Sequence, residues 1–115
     1  MALLKAFSHF SVNEIASLAH GDEIVAPASA HGFLLSTLSQ SNPLLVVTTS
    51  SRAAEYLFDE VNSYLGGGAL IFPPWETLPH ERLSPKSDTV TKRFNTLHTL
   101  TTNPKSVKVL ITSIR

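Results

Sequence analysis

The chain contains no cysteine. That excludes a disulfide scaffold and a thiolate zinc site, and it fits a reducing compartment. Long apolar runs are also missing. No stretch approaches the ~20 apolar residues that span a bilayer. The opening MALLKAFSHF holds only a broken apolar run, shorter than the core of a signal peptide and followed by no small-residue cleavage site. A soluble protein of the cell interior is expected. Metal chemistry is as poorly supported. The five histidines are His9, His20, His31, His80 and His98, and none stands in an H-E-x-x-H spacing that would put two ligands on one helix face. His80 and Glu81 are adjacent, not facing. No serine occupies a G-x-S-x-G turn. Glu76 and Glu81 are more naturally solvated than paired for acid–base work.

What is present suits one packed domain. Apolar residues make up 43% of the 115-residue chain, enough for a core and too many for a disordered segment. The formal net charge is zero, but it hides an asymmetry: residues 1–81 hold two basic and eight acidic side chains, a balance of −6, and residues 82–115 hold seven basic side chains against Asp88 alone, a balance of +6. A nucleic-acid patch on the basic third, centred on Lys92 and Arg93, is one reading. Ordinary solvated surface is the preferred one, because no aromatic side chains are interleaved there as a stacking surface needs.

Periodicity sets out an alternation of elements. Ser11-Val-Asn-Glu14 forms a capping box, Phe10 and Ile15 are placed as a hydrophobic staple, and Gly21 supplies a helix stop. Glu23 to Ala26 reads as a short buried strand, and His31 to Leu38 as a helix with Ser29 a candidate cap. Leu44 to Thr49 is a β-branched run of strand length. Ser51 to Leu65 places Ala54, Leu57, Phe58, Val61 and Leu65 on one helix face, and Gly66-Gly67-Gly68 ends it. Ala69 to Phe72 is a further strand. Ser87 or Asp88 can cap a helix whose Val90, Phe94, Leu97 and Leu100 share a face. Val107 to Ile114 is the last strand, with no acidic residue at its end to hold magnesium. Apolar strands separated by amphipathic helices predict an α/β/α arrangement with a mainly parallel sheet of about four strands. Any ligand would then lie along the edge where the strands end. The absence of a helix after the last strand suggests a fragment of something longer.

Two loops draw attention. The turn after the first expected strand, Pro27-Ala-Ser-Ala-His-Gly32-Phe33-Leu34, stands where a nucleotide-binding sheet carries G-x-x-x-x-G-K-[ST]. Pro27 replaces the first glycine. Phe33 replaces the lysine that reaches phosphate, and Leu34 the hydroxyl that holds magnesium. The other loop, FPPWETLPHERLSP from Phe72 to Pro85, carries four prolines and the chain's only tryptophan, Trp75. Its prolines forbid a central strand or a helix interior. They also restrict the unfolded loop, so it loses little entropy on ordering. Trp75 is expected to pack over the end of the sheet; an exposed partner-binding anchor is the alternative.

The residues Trp75, Glu76, Leu78, Pro79, Glu81, Arg82, Ser84 and Pro85, followed by Asp88-Thr-Val90, Arg93 and Leu97 to Leu100, closely resemble the N-terminal region of bacterial transcription-repair coupling factors. Leu44 to Thr49 and Ser51-Arg-Ala-Ala-Glu-Tyr-Leu57 also resemble that family's second strand and helix, so the likeness covers roughly residues 10 to 115. It implies a partial UvrB-like domain over residues 1–115, similar in fold to a P-loop helicase domain but without its phosphate-binding residues, as Pro27, Gly32, Phe33 and Leu34 suggest. It implies no catalytic residue and no bound cofactor in this segment. The family's ATP- and magnesium-dependent motor, and its contacts to UvrA and RNA polymerase, are implied for regions beyond residue 115. A scaffold acting in the bacterial cytoplasm, packed against other domains of its parent and binding DNA weakly or not at all, is the expectation. The alternatives are an active nucleotide-binding domain, with Arg52 or Arg82 replacing the missing lysine, and the basic nucleic-acid module.

Overall fold

A computed structural model describes residue 21, residues 23–75 and residues 86–115. The expected helix beginning at Ser11 lies outside the described residues, as do loop residues Glu76, Leu78, Pro79, Glu81, Arg82, Ser84 and Pro85. The elements are α1 (His31–Leu38), β1 (Leu44–Thr48), α2 (Ser51–Leu65), β2 (Ala69–Phe72), α3 (Ser87–Thr102) and β3 (Val109–Ser113), with 3-10 turns at Ala28–Ala30 and Pro104–Ser106. The sheet is parallel, in the order β1-β3-β2. Leu44 pairs with Val109 at the start of one ladder, and Ala69 pairs with Val109 in the other. The two earlier strands thus meet only through the last one.

Strand alternation divides the sheet into two faces. Val46, Ile71, Val109 and Ile111 share one face, and α2 covers it. Its buried Ala54, Val61 and Leu65 join Ala69, Ile71, Val109 and Ile111 in the core, with Leu57 and Phe58 packed against them. This is the stripe the 3.6-residue period predicts. Ser50 caps α2, its Oγ accepting from the Ala53 N–H at 3.2 Å. At the other end Gly66, Gly67 and Gly68 all take positive φ, a conformation that costs glycine little and other residues much. The Gly66 N–H donates to Asn62 O at 2.8 Å. The Asn62 side-chain oxygen then accepts from Ala69 N at 3.3 Å, tying the helix end to the start of β2.

Two expectations are corrected. Glu23 to Ala26 is not a strand, and the sheet has three strands among the described residues. Val25 is 93% exposed, so the run buries too little to act as a central strand, and Pro27 ends it without a donor. The second correction concerns α3. Its expected core face is turned outward: Val90, Phe94 and Leu97 are 43%, 68% and 52% exposed, whereas Thr96 is 4% exposed. Polar anchors explain the rotation. Among the described residues β2 pairs on one side only, and carbonyls at its C-terminal end need donors. The Thr96 hydroxyl donates to Ile71 O at 2.6 Å, and the Arg93 guanidinium donates to Pro73 O at 2.6 Å. These bonds hold the polar side of α3 on the sheet.

The helix caps differ from expectation too. Ser29 falls in the first 3-10 turn, and α1 begins after Ala30 with no side-chain cap. Helix α3 begins at Ser87 after Lys86, also without one. Asp88 lies in its first turn, where the helix dipole favours a negative charge. It pairs with Lys92 at 3.4 Å.

Candidate functional site

The C-terminal end of β1 leads directly into α2. Thr48 donates through its hydroxyl to Ser50 O at 2.8 Å, and Ser51 donates to Arg115 O at 2.9 Å, so this joint is tied to the end of β3. Beside it runs an open cleft of about 800 Å³. Ile24, Ala26 and Ala28 form one wall, Leu34, Leu35 and Leu38 of α1 another, and Val46, Ala53 and Leu57 the floor. Its size falls in the range of small-molecule sites. The charged and titratable groups along it are His31, Arg52 and Glu60, with Tyr56 between the last two. Arg52, Tyr56 and Glu60 recur every fourth residue of α2, which puts them on one helix side.

The turn from Pro27 to Leu34 forms part of this wall. Pro27 is extended, with φ −62° and ψ 150°. Ala30 donates back to Pro27 O at 2.9 Å, closing a 3-10 turn in place of a glycine-rich cradle. A His31 ring nitrogen lies 3.1 Å from Ala26 O and fixes the entry to α1. Gly32 is buried, and its position is explained by a neighbour. The Glu60 side chain lies across its Cα, so that a Cβ built on Gly32 would stand 2.7 Å from Glu60 Cβ and 2.5 Å from its Oε2. The Glu60 Oε2 is shielded from water and has no hydrogen-bond partner among the described residues. Phe33 packs edge-on against Tyr64 with ring centroids 5.7 Å apart, and it joins the rim of the core. Leu34 lines the cleft. The site therefore presents an apolar ring and an internal carboxylate at the first turn of α1.

The second candidate site is the start of the proline loop. Arg93 reaches from α3 to two rings, its guanidinium carbon 4.0 Å from the Phe72 centroid and 4.3 Å from that of Trp75. The cation thus contacts both rings, while one of its N–H groups bonds Pro73 O. Trp75 remains 48% exposed. Its fixed position comes from this cation, in place of the burial expected over the sheet. Arg93 and Trp75, members of the same sequence signature, are brought together here; Asp88 is engaged with Lys92 on α3.

Comparison with known proteins bears on the family. Two curated relatives, from Mycobacterium bovis and Mycobacterium tuberculosis, are 42% identical over 98 residues, which is 80% of this chain. Both are named transcription-repair-coupling factor, as is a relative from Escherichia coli that is 27% identical over 70 residues, 61% of the chain. The chain belongs to the transcription-repair coupling factors by sequence. It spans only 8% of the length of the mycobacterial relatives and 6% of the Escherichia coli one. No protein-family model matches it. No described helix is long and apolar enough to cross a membrane, and no described group of three or more His, Cys, Asp or Glu residues could hold a metal.

Sequence inspection missed two residues of these sites. Glu60 lies 28 positions from Gly32, and nothing local announces the contact. The recurrence of Arg52, Tyr56 and Glu60 at helical spacing is the one signal that could have placed it beside the turn. Thr96 was hidden by its apolar neighbours Leu97 and Leu100.

Proposed function

We propose that the chain is a non-catalytic α/β module of a transcription-repair coupling factor, serving as scaffold and interaction surface in transcription-coupled DNA repair. The observation that carries this reading is the turn at Gly32. Phe33 and Leu34 occupy the positions where a phosphate loop needs a cation and a hydroxyl, and Glu60 sets a negative charge against the only glycine of the pattern that is present. Arg52 borders the same cleft, but one exposed arginine opposite a carboxylate gives no net positive field for a polyphosphate. ATP and magnesium then belong to motor domains carried elsewhere in the longer parent chain, as do contacts to UvrA and RNA polymerase. Other domains of that parent are the partners proposed for this segment.

Two cations that a nucleic-acid reading depends on are already engaged. Lys92 pairs with Asp88, and Arg93 packs against the Phe72 and Trp75 rings. DNA binding is accordingly expected to be weak and steeply reduced by salt.

A thermal-shift titration with ATP and magnesium tests the proposal. The expected result is no saturable rise in melting temperature. A rise that grows with nucleotide concentration as mass action requires would establish an active nucleotide site and remove the scaffold reading.

A further inference from the structure

We draw no further inference here: the strongest candidate, the open apolar cleft between α1 and α2 with the shielded Glu60 Oε2 at its Gly32 end, carries nothing because nothing in the structure shows what covers it.

Discussion

The two faces of the sheet are covered by different physics. On one, α2 buries an unbroken apolar stripe, and packing alone orients the helix. On the other, α3 is held by two short hydrogen bonds and a stacked guanidinium, and its apolar stripe faces away. Helix orientation therefore follows whichever demand is harder to satisfy. Where strand carbonyls at a sheet edge lack partners, a threonine and an arginine outweigh three aliphatic and aromatic side chains.

This contrast can be broken by mutation. The largest effect is expected at the α2 face. Ile111→Ala, at a side chain with no exposure, should cost about 2–5 kcal/mol in denaturant unfolding. Leu45→Ala on the opposite face should change stability by no more than about 0.5 kcal/mol. Equal losses would mean both faces are packed alike. Next comes the contact between α1 and α2. Gly32→Ala forces a methyl group into Glu60 and should cost about 1–3 kcal/mol. The same substitution in a Glu60→Ala background should cost less than half as much; an unchanged penalty would show that the glycine serves its own backbone and not its neighbour.

Smaller effects sharpen the polar side. Thr96→Val keeps the shape but leaves Ile71 O without its donor, and a loss of about 1–2 kcal/mol is expected. A neutral or stabilising result would mean that packing alone holds α3. Arg93→Lys keeps the charge and loses the planar stack. It should cost about 0.5–1 kcal/mol and shift the emission of Trp75, the only tryptophan present. An unshifted spectrum would show that the stack does not position the ring.

Elements whose periodicity and stops agree were legible in the sequence. Helix α2 runs from Ser51 to Leu65 as its stripe and the following glycines require, and α1 and β2 also match the expected bounds. Glu23 to Ala26 was misread because four apolar-rich residues carry no record of whether a partner strand lies beside them. The orientation of α3 was misread because periodicity counts apolar residues and not unpaired carbonyls. The signature around Trp75 announced the family but not its geometry: the partner that fixes the ring, Arg93, lies 18 positions away on another element. The turn at Pro27 showed which residues a phosphate loop lacks, whereas the added obstacle, Glu60, became visible only in three dimensions.

The order of the strands has a consequence for synthesis. Residues 109–113 supply the strand on which both earlier ones hang. As the chain emerges from the ribosome, the segments at 44–48 and 69–72 have no ladder to join until some forty residues after the second of them, and each waits as an unpaired apolar run. Pairing of the three described strands accordingly waits for the last of them, and the interval before it is when unpaired apolar runs are most open to aggregation.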